Sequence, residues 1–117
     1  MSDVVVPANV TVESVTVGRH FDDGKPRLEL IDPSLLFGVG EILAFGSKKY
    51  GDRNWEKGIA YSRVFASVMR HLWKWFSGQN NDEESGMSHL HHAVCNLMFL
   101  IAYENRNMGD KFDDRVK

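Results

Sequence analysis

Apolar residues recur at helical spacing in three segments of the chain, and polar loops that contain glycine separate these segments. The first segment begins at Asp32-Pro33, where aspartate can cap a helix and proline has no N–H to lose, and it ends at Gly51. The predicted helices cover residues 33–50, about 62–78, and from 85 or 88 to about 107. Short connections predict antiparallel neighbours, so the expected fold is an all-α bundle of three main helices.

Both ends of the chain depart from this helical pattern. Residues 1–24 are assigned to an N-terminal arm, because the valine-rich stretches 4–6 and 10–17 are compatible with short β structure or an extended arm on a partner subunit. Residues 25–108 form the predicted helical domain. Residues 109–117 form a polar tail that is expected to fray.

Glycines and aromatic residues indicate close packing and self-association. Gly38, Gly40 and Gly46 lie inside the first predicted helix, although each weakens a helix by up to about 1 kcal/mol relative to alanine. They therefore indicate close approach of another helix or of a ligand. Three helices also offer a thin core for seven phenylalanines, three tryptophans and three tyrosines. A homo-oligomer that completes a larger bundle would bury them better.

Composition restricts the class of protein. The chain has 117 residues, enough for one domain, and a net charge of -2, which disfavours a nucleic-acid-binding module. A single cysteine, Cys95, lies in an apolar run and is expected to be a buried small residue in a reducing compartment. No basic leader and no run long enough to span a membrane is present, so a cytoplasmic protein is expected.

The third helix carries the first candidate functional residues. His89, His92 and Asn96 share one helical face, and His91 points elsewhere and is assigned to the surface. An apolar stripe occupies the opposite face: Leu90, Val94, Leu97 and Ile101. The histidine row therefore either meets solvent or lines a polar cleft.

Acidic residues precede this helix. Asp82 and Glu84, followed by His89 and His92, form an oxygen and imidazole set able to hold Mg²⁺ or Mn²⁺, although their spacing matches no standard zinc motif. Glu83 is assigned to complementing the positive end of the helix.

Two further segments carry cations and aromatic rings. In the second helix, Arg70 suits a phosphate and His71 suits metal ligation or proton transfer, and only one of them is expected to face the histidine row. The end of the first helix and its loop supply Lys48, Lys49, Tyr50, Asn54 and Trp55. These types suit a triphosphate and a base, and equally suit a solvated helix end with Trp55 as the loop anchor.

These segments together resemble a known family. Residues 45–55, Arg70-His71, residues 82–93 and Asn96 look like the phage-type dATP/dGTP diphosphohydrolases, including MazZ-like enzymes, and the match runs from about Lys25 to Tyr103. The resemblance implies hydrolysis of dGTP or dATP to the monophosphate and pyrophosphate in phage nucleotide metabolism, in the host cytoplasm. It also implies kinship with the all-α MazG-like pyrophosphohydrolases, which use Mg²⁺ or Mn²⁺ and assemble as dimers or tetramers.

Attack of a metal-activated water on the triphosphate gives the candidate residues their expected roles. Asp82, Glu84, His89 and His92 surround the metal, and His71 and Glu84 are the candidate catalytic residues. Phosphates meet Lys48, Lys49 and Arg70, the base or sugar meets Tyr50, Asn54 and Trp55, and Asn96 orients a ligand. The MazG-like pattern of Glu-Glu-x-x-Glu on one helix and Glu-x-x-Asp on the next is absent, and His89-x-x-His92 stands where Glu-x-x-Asp would be.

Two rival functions predict different behaviour. A non-catalytic helical protein that binds partners predicts no metal affinity and no release of pyrophosphate. An HD-type phosphohydrolase requires a His-Asp dipeptide, which the sequence lacks.

Overall fold

The computed structural model describes residues 17–116, which fall into two compact units. The first ends at Asp32 and contains one turn of 3₁₀-helix, Leu28–Leu30, beside an Arg27–Glu29 ion pair of 2.5 Å. The second begins at Pro33 and contains the helices. The valine stretches that predict an N-terminal arm lie, except for Val17, outside the described residues.

Three long helices and one short helix make up the second unit. They are α1 (Pro33–Tyr50), α2 (Tyr61–Phe76), α3 (His89–Asn105) and α4 (Gly109–Phe112), with a 3₁₀ turn at Asn54–Lys57. Residues 17–116 hold no strand, only an isolated antiparallel bridge between Asn81 and Ser88. This confirms the all-α class and the three main helices. None of the described helices is long and apolar enough to cross a membrane.

Local sequence explains the helix ends. α1 begins at Pro33 and stops before Gly51, whose φ of +92° lies in the left-handed region that glycine adopts most readily. α3 begins after Ser88, whose hydroxyl oxygen accepts the N–H of Leu90 at 3.1 Å. The sequence left Ser85 and Ser88 as alternative starts of this helix, and the structure shows that Ser88 is the cap.

The core lies where the start of α2 meets the end of α3. Tyr61, Val64 and Tyr103 are buried there, and Tyr103, fully buried, donates its hydroxyl to the Trp55 carbonyl oxygen at 2.6 Å. Partly buried apolar side chains surround this cluster: Trp55, Ile59, Phe99, Leu100, Met108 and Phe112. Burial raises the pKa of Tyr103 to about 12, so the phenol stays protonated and keeps its bond to the loop.

The predicted polar tail contains a short helix and contacts the rest of the helical unit. Residues 109–112 form α4, and the Phe112 ring packs against Gly58, where an added Cβ would lie 2.2 Å from a ring carbon. The Asp114 carboxylate accepts both the N–H and the hydroxyl of Ser62, at 2.8 and 2.5 Å. The Phe112 ring and the Asp114 carboxylate thus attach this polar segment to Gly58 and to the start of α2.

Gly38 shows the close helix approach that the glycines predict. A Cβ at Gly38 would lie 2.2 Å from the ring of His91, so α1 and α3 pack directly at this point. The assignment of His91 to the surface is wrong, because its half-buried ring occupies this contact. A Cβ added at Gly40 or Gly46 would meet nothing within 4 Å, and both glycines line an open cleft.

The buried face of α3 is the face that carries the histidines. His89 is fully buried and His92 nearly so, beside Cys95, which confirms the buried position expected for the cysteine. The apolar stripe, by contrast, is largely exposed at Leu90, Leu97 and Ile101. Of the two alternatives for the histidine row, the structure therefore selects the one in which it faces the protein rather than solvent.

Candidate active site

A large open cleft of about 1340 Å³ lies among the end of α1, the loop after it, α2 and α3. Ten of the sequence-predicted site residues line it: Lys49, Tyr50, Asn54, Trp55, Arg70, His71, Asp82, Glu84, His92 and Asn96. Lys48 does not line the cleft, and His89 is buried behind His71. Helix packing has thus brought together residues that the sequence separates by up to 47 positions.

Three histidines converge where the end of α2 meets the start of α3. The Nδ1 atoms of His71 and His89 lie 2.9 Å apart, and the His71 ring stacks on His92 with centroids 4.4 Å apart and planes 3° apart. Since α2 and α3 run antiparallel, residue 71 near one helix end faces residues 89 and 92 near the other. His71 is thus the member of the Arg70–His71 pair that meets the histidine row.

The loop before α3 places a carboxylate beside these rings. The Asp82 side chain accepts the backbone N–H groups of Glu84 and Ser85 at 3.1 and 2.9 Å, and its Oδ2 lies 4.0 Å from the Nε2 of His92. Ligand atoms of His71, Asp82 and His89 all lie within 4.8 Å of one another. Two imidazoles and a carboxylate, with His92 adjacent, are therefore able to share one cation.

The surroundings of the cluster lower the pKa values of His71, His92 and Asp82, and so favour neutral rings at these two histidines and an ionised carboxylate. Desolvation lowers the pKa of His71 to about 4, helped by the neighbouring His92, and desolvation also lowers the pKa of His92 against the pull of Asp82. Burial alone would raise the pKa of Asp82. The hydrogen bonds from Ser85 and the electrostatic interaction with His92 together outweigh burial, so the pKa is lowered. Neutral imidazoles and an ionised carboxylate are the forms that bind a metal ion.

Cationic side chains also line the cleft. Lys49 forms an ion pair with Glu84 at 2.7 Å, and this hydrogen bond raises the pKa of Lys49. Glu84 therefore lies with the lysine at the cleft edge and is not part of the three-residue cluster. Arg70 also lines the cleft, together with Arg63 and Lys74 one to two turns away on the same face of α2.

The two aromatic residues predicted for the site, Trp55 and Tyr50, differ in burial. Trp55 stacks on Phe99 with centroids 4.7 Å apart, and the Arg106 guanidinium lies 5.4 Å from its ring centroid. These contacts match the alternative in which Trp55 anchors the loop. Tyr50, which is 62% exposed beneath Lys49, has a ring surface open to a flat ligand.

Several residues that line the cleft or contact its histidines were not found from the sequence. Ser85 Oγ lies 2.7 Å from His92 Nε2, and Gln79 Oε1 lies 2.7 Å from His89 Nε2. Both are loop residues whose contacts depend on how the loop folds back, so no spacing in the sequence marks them. Arg63, Ser67 and Lys74 did carry a signal, because with Arg70 they form a polar stripe at helical spacing.

Two residues before and within α3 make contacts that the sequence did not predict. Glu83 was assigned to the start of the helix, but its carboxylate instead accepts the Gln79 side-chain amide at 2.8 Å, while Ser88 caps the helix. Asn96, expected to orient a ligand, donates to Ser67 Oγ at 3.2 Å and to the His92 carbonyl oxygen at 3.0 Å. Asn96 thus ties α3 to α2 at the floor of the cleft.

Comparison of the sequence with known proteins identifies the family of this chain. The model of the family described as dATP/dGTP diphosphohydrolase, N-terminal, matches residues 16–115. The chain belongs to this family. A dATP/dGTP diphosphohydrolase of Salmonella phage PMBT28 is 40% identical over 94 residues, which are 80% of this chain and 32% of that relative. The chain thus spans about a third of the length of the relative, and no solved structure matches it significantly.

Proposed function

We propose that this chain hydrolyses purine deoxynucleoside triphosphates, dGTP or dATP, to the monophosphate and pyrophosphate with the help of a divalent cation. The observation that carries the proposal is the cleft itself. It sets an imidazole and carboxylate cluster from α2, α3 and their loop against the cationic end of α1, in a chain of the dATP/dGTP diphosphohydrolase family. The phage origin of the PMBT28 relative supports a role in phage nucleotide metabolism.

The donor set fits a divalent cation. His71, Asp82 and His89 would hold it, with His92 beside them, and a mixed imidazole and carboxylate set suits Mn²⁺ better than Mg²⁺, which prefers oxygen ligands. When bound, such a cation lowers the pKa of water and neutralises phosphate charge. Glu84 remains a predicted ligand and catalytic residue whose observed partner is Lys49.

The side chains of the cleft supply the other requirements of the reaction. Lys49 and Arg70 would bind the negatively charged phosphates, as predicted, and Arg70 can form a bidentate contact. His71, neutral at physiological pH, is able to accept a proton or ligate the cation. Tyr50 offers a stacking surface to the purine, and Asn54 offers an amide to the base or sugar.

We also infer that the protein acts as a homo-oligomer, a dimer or tetramer. An apolar face built from α2 and α3 lies on the side of these helices opposite the cleft, and its side chains are exposed. A second copy of the chain that covered this face would remove its apolar side chains from water and leave the cleft open to substrate.

The test of the activity is a panel of deoxynucleoside and ribonucleoside triphosphates with Mg²⁺, Mn²⁺ or EDTA, with all products resolved. The expected products are the monophosphate and pyrophosphate, with dGTP or dATP preferred and no turnover in EDTA. Asp82→Asn should lower kcat/KM by at least about a hundredfold, because it removes the charge of the cluster. Asp110→Asn, on α4 outside the cleft, is the control and should leave turnover unchanged.

Other outcomes would change the proposal. Diphosphate plus phosphate, or tripolyphosphate, would place the chain in another reaction class. Absence of turnover together with absence of metal binding would instead favour the non-catalytic alternative, a helical protein that binds partners.

A further inference from the structure

Gln79 connects the buried histidines to an acidic residue outside the cluster. The half-buried Gln79 side chain lies in the loop after α2, donates its Nε2 amide to Glu83 Oε1 at 2.8 Å and directs its Oε1 at His89 Nε2, 2.7 Å away. A carboxylate only accepts hydrogen bonds, so Glu83 must face the amide nitrogen. The amide oxygen is therefore turned toward His89.

This orientation determines which nitrogen of His89 carries hydrogen. Because the amide oxygen of Gln79 only accepts, the N–H of His89 must be on Nε2. A neutral imidazole has one N–H, so the Nδ1 of His89 keeps its lone pair.

The same argument extends one ring further. The Nδ1 of His71 lies 2.9 Å from the Nδ1 of His89, and only one of the two can donate. Since His89 Nδ1 is the acceptor, His71 must carry its hydrogen on Nδ1 and hold a lone pair on Nε2. In the metal-free protein the two rings therefore share one hydrogen bond, and the lone pair of His89 Nδ1 is directed at His71.

We propose that Gln79 is a positioning residue that fixes the tautomers of His89 and His71, with its own amide oriented by Glu83. The opposite tautomer of His89 would carry a hydrogen on Nδ1, and that nitrogen could then neither ligate a cation beside His71 nor accept the His71 N–H. The effect on turnover rests on the proposed function. The tautomers themselves are a property of the isolated, metal-free protein.

The direct test is long-range ¹H–¹⁵N correlation spectroscopy of the imidazoles in the metal-free protein above the ordinary histidine pKa. The wild-type protein should show His89 with hydrogen on Nε2 and His71 with hydrogen on Nδ1. Gln79→Met removes the acceptor while keeping an unbranched side chain, and both rings should then show averaged tautomers. Gln79→Glu restores an acceptor and should restore the wild-type pattern.

A matched control and a second route keep the test decisive. Asn80→Ala changes the residue next to Gln79. It keeps the Asn80 backbone oxygen, which accepts the backbone N–H of His89 at 2.9 Å, and it should leave the tautomers unchanged. Should Gln79→Met fail to fold, Glu83→Ala frees the Gln79 amide to turn and should produce the same averaging. An Nε2 hydrogen on wild-type His71, or tautomers unaffected by both changes, would overturn the proposal.

Turnover separates this inference from the proposed function. In an active enzyme Gln79→Met should lower kcat or metal affinity by about 10–100-fold, the usual effect of removing a residue that orients a ligating histidine, and Gln79→Glu should recover part of it. Altered tautomers with unchanged kcat and metal affinity would refute the positioning role. If the wild-type protein hydrolyses no triphosphate, the proposed function fails, and the spectra still decide whether Gln79 sets the tautomers.

Discussion

Two adjacent lysines at the end of α1 differ in what they face. Lys49 lines the cleft and pairs with Glu84, whereas Lys48, one residue earlier, is exposed and does not line the cleft. A helix turns by about 100° per residue, so neighbours in sequence point in different directions. The two lysines, equivalent in composition, are therefore expected to differ in function.

Lys49→Ala should lower kcat/KM for the triphosphate by about 10–100-fold, because a hydrogen bond to a charged group contributes about 1.5–3 kcal/mol. Lys48→Ala is the matched control, since it removes the same charge from the same helix end, and it should change kcat/KM by less than about threefold. Steady-state kinetics of both variants give the comparison. Equal losses would mean that the net charge of the helix end matters and that the cleft position of Lys49 does not.

The histidine cluster predicts how stability depends on pH. The folded-state pKa of His71, about 4, lies below its ordinary value of 6.5, so below pH 6.5 the unfolded chain binds a proton that the folded chain does not. Stability should therefore fall as pH decreases from 6.5 toward 4, and His71 should contribute nothing above pH 6.5. After discounting for its partial solvent exposure, the loss is on the order of 2 kcal/mol, and the lowered pKa of His92 acts in the same direction.

Thermal unfolding in EDTA measures this dependence, over a range from about one pH unit above the ordinary histidine pKa to about two units below it. His71→Gln removes the titrating group, so its stability should fall less steeply with acid than that of the wild-type protein. The comparison uses slopes, because the substitution also changes the stability at neutral pH. Parallel slopes would show that His71 is not the group responsible.

Residue types and spacing predicted many of the site residues, but not their partners. The helical spacing of His89 and His92 placed both on one face, and the structure buries that face as the sequence allowed. Hydrogen bonds made by Gln79 and Ser85 depend on a loop that folds back through the Asn81–Ser88 bridge. No periodicity operates in such a loop, so these contacts could not be read from spacing.

At the scale of helices, the glycines of α1 show why one residue type takes different roles. Gly38 is buried against the His91 ring of α3, whereas Gly40 has open space where a side chain would stand. The sequence predicted close approach of another helix or of a ligand at the three glycines. Gly38 meets a helix, whereas Gly40 and Gly46 line the cleft. Which glycine meets a neighbour depends on the rotation of α1 against α3, which the apolar pattern of α1 does not define sharply.

Gly38→Ala and Gly40→Ala should therefore have opposite effects on stability. Alanine at Gly38 would place its Cβ 2.2 Å from the His91 ring and force the helices or the ring to shift, which should cost about 1–3 kcal/mol and lower the Tm. Alanine at Gly40 meets nothing and should raise the Tm, because it favours the helix by up to about 1 kcal/mol.

A double substitution identifies the contact. Adding His91→Ala to Gly38→Ala removes the ring that the new Cβ meets, so the double variant should be more stable than the sum of the two single changes predicts. Chemical denaturation of the four proteins measures this coupling. Additive losses would place the strain somewhere other than the Gly38–His91 contact.

Helix boundaries were predicted within a few residues because caps and breakers are local signals. Pro33, Gly51 and Ser88 mark ends that the structure reproduces. α4 was missed because a single turn leaves no periodicity to detect, and only the packing of Phe112 against the core reveals why it forms.

At the scale of the whole molecule, α2 and α3 carry an exposed apolar face. The stripe on α2 contains Phe65, Leu72, Trp73 and Phe76, and the stripe on α3 contains Leu90, Leu97 and Ile101. The two helices run antiparallel, so helical spacing puts both stripes on one side of the pair and the cleft on the other. As the sequence predicted, the α3 stripe lies opposite the histidines. In the single chain it is exposed.

The size of this face suits a second copy of the chain. With exposures from 36% at Leu72 to 73% at Phe76, the seven side chains present on the order of 600 Å² of apolar surface. That equals the largest patches found on monomers and approaches the roughly 800 Å² that each partner buries in a standard interface. Two helices from each of two copies would form a four-helix bundle whose core is these stripes.

Leu97→Glu, at the middle of the α3 stripe, should therefore convert an oligomeric protein to a monomer at micromolar concentration, because a carboxylate at a buried apolar interface must be desolvated without a partner. Light scattering coupled to size exclusion measures the change, and Lys57→Glu, in the exposed 3₁₀ turn at 54–57, is the control that introduces the same residue elsewhere. Since α2 carries both the stripe and the cleft residues Arg70 and His71, loss of the partner should also lower thermal stability and turnover. A wild-type protein that is monomeric at these concentrations, or a Leu97→Glu variant that still associates, would show that this face is not the interface.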